Sequence, residues 1–129
     1  MKSHIIATFV FAACVLFGAH GHAGSSAELL QTLSAKLAEI KASSDKESVA
    51  IDSVIEVQSL VGTSRREILS ALGEPDACAN KADSRCNTQS VWVYSFYRLP
   101  KGWRGGGPEL NLAFGKEGTI KEAKWKFSR

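Results

Sequence analysis

The stretch of sequence that decides the fold is V-W-V-Y-S-F-Y-R-L, residues 91–99. Its bulky side chains alternate between two faces, with Trp92, Tyr94 and Phe96 on one face and Val93 and Tyr97 on the other. A period of two is typical of a β-strand, and large apolar residues on both faces predict a strand covered on one side and partly on the other. We therefore expect a β-sheet in this part of the chain.

Two more strands are predicted closer to the C-terminus. The first alternates clearly, with apolar side chains at Leu110, Leu112 and Phe114. The second, residues 119–127, is predicted to turn Ala123, Trp125 and Phe127 toward the core and its charged residues toward water. The sequence G-K-E-G between them, residues 115–118, is typical of a hairpin turn. Together with residues 91–99, these segments predict three antiparallel strands.

Three helices are predicted ahead of the strands. The first covers residues 25–42, with a cap at Ser26 and one apolar stripe made by Leu30, Leu33, Leu37 and Ile40. The second covers the apolar residues 49–61, although their β-branched side chains weaken helix formation.

The third predicted helix has a clear beginning and a clear end. Ser64 and Glu67 have the spacing of a capping box, and Ile68, Leu69 and Leu72 form its apolar face. Gly73 stands where a helix commonly ends in a residue of positive φ, and Pro75 prevents continuation.

Residues 1–23 are typical of a cleaved secretory signal peptide. Lys2 provides a basic start, residues 5–17 are apolar and uncharged, and Gly21 and Ala23 are small residues of the kind a signal peptidase reads. The apolar run is shorter than the roughly 20 residues that span a bilayer. We expect cleavage after Ala23 and a protein of the periplasm or cell envelope. The alternative is an outer-membrane lipoprotein, because F-A-A-C at residues 11–14 resembles a lipid-attachment motif ending at Cys14.

Removal of this segment would exclude much catalytic chemistry. The three histidines of the chain, His4, His20 and His22, all lie within it. A mature chain without histidine has no Ser-His-Asp or Cys-His catalysis and no histidine metal site, and no spacing of carboxylates predicts an acid–base pair. We therefore expect a protein that is not an enzyme and holds no cofactor or metal. An enzyme that uses carboxylates is the remaining alternative.

Cys78 and Cys86 are the two cysteines that would remain. An isolated pair in an exported protein is most simply a disulfide, and a bond closing so short a loop should stabilise the fold by about 2 to 3 kcal/mol. A metal site would need further ligands, and a redox motif would need the closer Cys-x-x-Cys spacing.

Charge is unevenly distributed along the predicted mature chain. Residues 24–80 carry five basic and nine acidic side chains, a net charge of −4, whereas residues 81–129 carry ten basic and four acidic ones, a net charge of +6. In an exported protein a basic half favours an anionic lipid or cell-wall surface, or an acidic protein face, over nucleic acid. The charge pattern nevertheless favours a solvated outer face of the sheet over any of these partners.

Residues 100–108 form a glycine-rich loop between the first two predicted strands. The loop lacks the Gly-Lys-Ser/Thr ending of a phosphate-binding loop. Trp103 lies between Lys101 and Arg104, a composition typical of a contact residue, so these three side chains are the predicted partner-binding site. We expect the loop to be a contact element on which the fold does not depend. The alternative is that Trp103 folds back onto the sheet.

The order of these motifs resembles that of the SmpA/OmlA (BamE-like) family, which includes a small accessory of outer-membrane β-barrel assembly. The resemblance runs over about 70 residues, 57–127, and rests on caps, turns and core positions: Gly62, Ser64, Glu67, Leu72, Gly73, Pro75, Trp92, Tyr94, Leu112, Phe114 and Gly118.

The resemblance implies an α+β domain over residues 57–129, with two helices packed on a three-stranded antiparallel sheet, as in each half of β-lactamase inhibitor proteins. Residues 24–56 would then be an extra N-terminal helical region containing the first amphipathic helix. The implied function is a noncatalytic interaction module of the bacterial envelope, with outer-membrane assembly components among its partners. An inhibitor-like binder of a secreted or periplasmic enzyme is the alternative. Since the matched residues carry fold, no binding site is transferred from the family.

The export prediction is tested by the N-terminus of the mature protein. Mass spectrometry of protein purified from bacteria that express the full chain should find a first residue of Gly24 and no acyl chain, because the motif before residue 24 is that of soluble secreted proteins. A diacylated chain that begins at Cys14 would contradict it.

Overall fold

A computed structural model describes residues 21–44, 47–51, 55–78, 86 and 90–129 of the chain. Residues 1–20, with Cys14 and most of the predicted signal peptide, lie outside the described residues. Helix α1 spans Gly21–Lys41 and helix α2 spans Arg65–Leu72. The described residues also form six strands: β1 Val49–Ala50, β2 Ala77–Cys78, β3 Val91–Ser95, β4 Tyr97–Arg98, β5 Pro108–Phe114 and β6 Ile120–Phe127.

The prediction of an α+β fold with antiparallel strands is confirmed, but the three-stranded sheet is wrong. Within the described residues the main sheet has four strands in the order β2-β3-β5-β6, and β1 pairs with β4 in a separate two-stranded sheet. All of these pairs are antiparallel. The extra strand β2 has only two residues, Ala77 and Cys78, so it is too short to show a periodic pattern in the sequence.

The core lies on one face of the main sheet. Trp92, Tyr94 and Phe96 are fully buried there, as the alternation predicts. Rows of paired residues continue this face across the sheet, Trp92 with Leu112 and Ala123, and Tyr94 with Leu110 and Trp125. The helices contribute buried side chains to the same cluster, Leu33, Leu37 and Ile40 from α1 and Ile68 and Leu72 from α2.

Helix α1 confirms the predicted stripe but begins earlier than predicted. The helix runs from Gly21, so Ser26 lies inside it and does not cap it. The Ser26 hydroxyl is instead 3.4 Å from the Thr63 hydroxyl. At the other end of α1, the Arg98 guanidinium donates hydrogen bonds to the carbonyl oxygens of Lys41 (2.9 Å) and Ser43 (2.6 Å), which satisfies acceptors that the last turn of a helix leaves open.

The predicted helix over residues 49–61 is wrong. Val49–Ala50 forms β1, and among the described residues of this segment only Gln58–Leu60 is helical, as a single 3-10 turn. The β-branched residues at the start of this segment suit an extended backbone, which pairs with Tyr97 and Arg98. The backbone N–H of Ile51 continues the pairing by donating to the Phe96 carbonyl oxygen at 3.1 Å.

The capping box of α2 is confirmed. The Ser64 hydroxyl accepts from the Glu67 backbone N–H at 3.2 Å, and the Glu67 carboxylate accepts from the Ser64 backbone N–H at 3.3 Å. Gly73 ends the helix at φ 77° and ψ −164°. Its φ is positive as predicted, but its ψ places it outside the left-handed helical region, in a region that is essentially restricted to glycine.

The predicted strand over residues 91–99 is interrupted at Phe96. β3 ends at Ser95 and β4 begins at Tyr97, while the Phe96 backbone N–H donates to the Pro108 carbonyl oxygen at 2.9 Å. The hairpin turn over residues 115–118 is confirmed, with Gly118 at φ 81° and its N–H donating to the Gly115 carbonyl oxygen at 3.1 Å.

The Gly73→Ala variant tests the end of α2. It should lower the free energy of unfolding by about 1 to 3 kcal/mol, because alanine pays the strain of a glycine-restricted backbone even though nothing lies within 4 Å of the added Cβ. The measurement is urea denaturation followed by circular dichroism.

Gly115→Ala is the matched control. A Cβ at Gly115 would meet its nearest neighbour, the Thr119 carbonyl oxygen, at an ordinary 3.9 Å, and its φ is not among the positive ones. Equal unfolding midpoints for the two variants would show that α2 does not end as described.

Candidate functional site

The three predicted partner-binding residues lie together on the connection between β4 and β5. Trp103 is 69% exposed, and Lys101 and Arg104 on either side of it are exposed as well. A tight turn forms the tip, because the Trp103 backbone N–H donates to the Pro100 carbonyl oxygen at 3.0 Å and Gly102 has a φ of 84°. The indole therefore points away from the sheet and does not fold back onto it.

The base of this loop is part of the fold, which corrects the expectation that the whole loop is dispensable. Gly107 exchanges hydrogen bonds with Ser128: its N–H donates to the Ser128 hydroxyl at 3.2 Å and its carbonyl accepts from the Ser128 N–H at 3.0 Å. A Cβ at Gly107 would come within 2.7 Å of the Tyr97 ring, and one at Gly106 would overlap the Ser128 backbone. At both positions the loop lies too close to Ser128 or Tyr97 to leave room for a side chain, which explains why the residues are glycines. Pro108, which the sequence placed in the loop, is the first residue of β5.

Phe127 is a second exposed aromatic residue, which the alternation of its strand placed in the core. It is 66% exposed although it alternates correctly with Trp125 and Ala123. Its strand partner is Pro108, at the end of the sheet where the loop that carries Trp103 enters β5. The alternation of β6 predicts the face of Phe127 correctly, but the covering layer does not extend that far, which a strand pattern alone does not reveal.

The predicted disulfide residues lie at bonding distance. The Cα atoms of Cys78 and Cys86 are 5.6 Å apart. The indole N–H of the fully buried Trp92 donates to the Cys86 carbonyl oxygen, so this cysteine is tied to the core as well as to β2. The residues between the two cysteines, 79–85, lie outside the described residues.

Tyr94 has a perturbed hydroxyl, but its role is structural. Burial raises the pKa of its phenol, and the carboxylates of Glu74 and Asp76 raise that pKa further. The phenol therefore remains neutral at physiological pH and donates a hydrogen bond to the Gly73 carbonyl oxygen at 2.7 Å. It fixes the backbone after α2 and is not a poised base.

A groove between α1 and α2 was not predicted from the sequence. It has a volume of about 1270 Å³ and is lined largely by small residues, among them Ala35 and Ala38 of α1 and Ala71 of α2. Val61, which is 42% exposed, lies on its edge. The one acidic side chain of its lining, Glu67, is engaged in the capping box. The other polar side chains of the lining are hydroxyls and one amide: Ser26, Gln31, Ser34, Ser59, Thr63 and Ser70.

The described parts of the chain contain no group of three or more His, Cys, Asp or Glu side chains that could hold a metal ion. No described helix is long and apolar enough to cross a membrane. No known protein family and no curated protein sequence matches this chain.

Substitutions in the loop should separate its structural base from its exposed tip. Gly107→Ala should lower the free energy of unfolding by about 1 to 3 kcal/mol, because the added methyl group overlaps the Tyr97 ring. Trp103→Ala should change it by less than about 0.5 kcal/mol, as is usual for exposed side chains. Thermal and urea denaturation measure both values. A Trp103→Ala variant that melts far below the wild type would place the indole in the core.

Proposed function

We propose that this protein is a noncatalytic interaction module of the bacterial cell envelope, which binds partner proteins through Lys101, Trp103 and Arg104. The observation that carries the proposal is the exposed indole of Trp103, at 69%, between two exposed cations. Tryptophan and arginine are enriched among the residues that dominate binding energy at protein interfaces. A large apolar side chain held in water adds little to the stability of the fold and is available for a contact with a partner.

The rigid base of the loop supports this role. Gly106 and Gly107 are packed against Ser128 and Tyr97, so the tip is presented from a fixed position on the sheet. A contact residue on a fixed base loses less conformational entropy on binding than one on a free loop.

We propose membership of the SmpA/OmlA (BamE-like) family on the order of the quoted motifs. The local structure of the quoted residues supports the proposal: Ser64 and Glu67 form a cap, Gly73 and Gly118 have a positive φ, and Trp92 is buried in the core. On that analogy the partners are envelope proteins, with outer-membrane assembly components among them. The family's function is part of the proposal, whereas the four-stranded main sheet of the described residues departs from the three strands that the resemblance implies.

Export through a cleaved signal peptide at Ala23 is the proposed route to the periplasm. The cysteine pair at bonding distance supports it, since disulfides persist in oxidising compartments. The lipoprotein route through Cys14 is the alternative proposal.

An inhibitor-like binder of a secreted or periplasmic enzyme is the second candidate function. The projecting tip of the loop favours it, because an aromatic side chain on a fixed loop is suited to filling an enzyme pocket.

Affinity capture from a detergent-solubilised envelope tests the proposal. The wild-type chain should retain envelope assembly proteins, and Trp103→Ala should lose them while keeping its melting temperature. Lys116→Gln is the control, because Lys116 is also an exposed cation on a hairpin turn but the aromatic residue nearest to it in sequence, Phe114, is buried.

The identity of the captured proteins separates the two functions. Capture of a soluble hydrolase, lost in Trp103→Ala, would replace the envelope module by the inhibitor. Retention that is equal for wild type, Trp103→Ala and Lys116→Gln would contradict both.

A further inference from the structure

We propose that the disulfide between Cys78 and Cys86 is a redox-sensitive latch, which holds the hydrogen-bond acceptor of the buried Trp92 indole in place. Reduction by a dithiol opens the latch through thiol–disulfide exchange: the S–S bond breaks, each sulfur gains one electron and one proton, and the reductant becomes a disulfide. The proposal goes beyond the proposed function, because it concerns the regulation of stability and involves no residue of the loop that carries Trp103.

Cys78 is the anchored end of the latch. It is the last residue of β2, at the edge of the main sheet, where it pairs with Trp92. Asp76 fastens the same segment to β3, because its backbone N–H donates to the Val93 carbonyl oxygen at 2.9 Å and its carboxylate accepts from the Ser95 backbone N–H at 2.7 Å. Hydrogen bonds therefore keep Cys78 in place whether or not the disulfide is present.

Cys86 is the end that depends on the disulfide. It belongs to no helix or strand, and its Cα atom lies 5.6 Å from that of Cys78. Among the described residues, no main-chain group forms a backbone hydrogen bond with Cys86. Its described contacts are the disulfide, the hydrogen bond that its carbonyl oxygen accepts from the Trp92 indole, and packing against the core. Reduction therefore removes the cross-link that fixes this carbonyl.

Trp92 is the residue that responds to the state of the latch. Its indole is fully buried, and the Cys86 carbonyl oxygen is the acceptor of its N–H. The ring packs edge-on against Phe114 with centroids 4.7 Å apart, so it cannot turn toward another acceptor without losing this contact. A buried N–H that loses its acceptor costs the desolvation free energy of the group. Opening the latch therefore weakens the folded state within the core.

The disulfide is more accessible than the indole that depends on it. Both cysteines are half-buried, whereas Trp92 has no exposed surface. The rate of thiol–disulfide exchange depends on access to the sulfur atoms. We therefore expect a dithiol to open the latch while the β3–β5 ladder remains formed.

The effect of a latch differs from that of a simple cross-link. A disulfide that closes a loop stabilises a protein mainly by lowering the entropy of the unfolded chain, and this contribution does not depend on the side chain of residue 92. The latch adds a loss in the folded state that requires the indole N–H. An oxidising compartment closes the latch and a reducing one opens it, so stability follows the compartment more steeply than loop closure alone provides.

Hydrogen exchange measured by NMR on the purified full chain, before and after reduction with dithiothreitol, tests the proposal. Mass spectrometry verifies that each sample is fully oxidised or fully reduced. In the oxidised protein the Trp92 indole N–H should exchange as slowly as the backbone amides of Leu110 and Leu112, which lie in the β3–β5 ladder. In the reduced protein it should exchange at least about tenfold faster than these amides, because it loses its acceptor while the ladder keeps its own.

Trp125 is the matched control for the indole. Its N–H also donates to a main-chain carbonyl oxygen, that of Ile55 at 2.7 Å, and neither residue is close to the cysteines in sequence. Reduction should accelerate its exchange no more than that of the ladder amides. The Cys78→Ser/Cys86→Ser double variant should reproduce the reduced protein without reductant, and dithiothreitol should leave this variant unchanged.

Thermal unfolding provides a second readout. Reduction should lower the melting temperature of the wild type by at least about 4 °C more than that of Trp92→Phe, because phenylalanine has no N–H to leave unpaired. If Trp92→Phe does not fold, the exchange of the wild-type indole decides by itself.

Two results would overturn the latch. If the Trp92 indole still exchanges with the Leu110 and Leu112 amides after reduction, or if reduction lowers both melting temperatures equally, the disulfide is a simple cross-link. If reduction removes protection from the whole β3–β5 ladder, the disulfide holds the entire sheet and not the acceptor of one indole. Neither result bears on partner capture through Trp103, which is measured separately.

Discussion

The fold depends on the burial of one face of residues 92–96, which belong to β3 and to the residue that follows it. Trp92, Tyr94 and Phe96 recur at every second residue and all three are fully buried, so a shift of the strand by one residue would expose the largest side chains of the core. Complete burial of a large apolar side chain contributes about 1.5 to 3 kcal/mol. The leucine stripe of α1 and the short helix α2 are positioned by this face, because both bury their apolar residues against it.

The polar atoms of the buried Trp92 and Tyr94 and of the half-buried Trp125 organise the connections around the core. The Trp92 indole N–H donates to the Cys86 carbonyl oxygen, the Tyr94 phenol donates to that of Gly73, and the Trp125 indole N–H donates to that of Ile55 at 2.7 Å. Each of these carbonyls belongs to a loop or turn. Buried donors require acceptors, so the same side chains that form the core also place the disulfide, the end of α2 and the segment before the 3-10 turn.

Patterns with a physical cause in neighbouring residues were predictable from the sequence. The stripe of α1, the capping box of α2, the positive φ of Gly73 and the turn over residues 115–118 all depend on local chemistry. The two-residue strands β1 and β2 were not predictable, because their pairing with β4 and β3 depends on partners distant in the chain.

The features of the candidate site likewise separate into those that depend on neighbouring residues and those that depend on residues distant in the chain. The composition of residues 101–104 is by itself enough to indicate a contact loop. The structural role of Gly106 and Gly107 depends on Ser128 and Tyr97, and the exposure of Phe127 depends on where the covering layer stops. Both are tertiary properties.

Amide hydrogen exchange measured by NMR tests the central claim most directly. A sheet ordered by the buried face of β3 predicts that the slowest-exchanging amides lie in the β3–β5 and β5–β6 ladders and that the Trp92 indole N–H exchanges slowly with them. The amides of residues 101–105 and the Trp103 indole should exchange fast. Rapid exchange of the Trp92 indole, or protection of Trp103 equal to that of β5, would contradict the account.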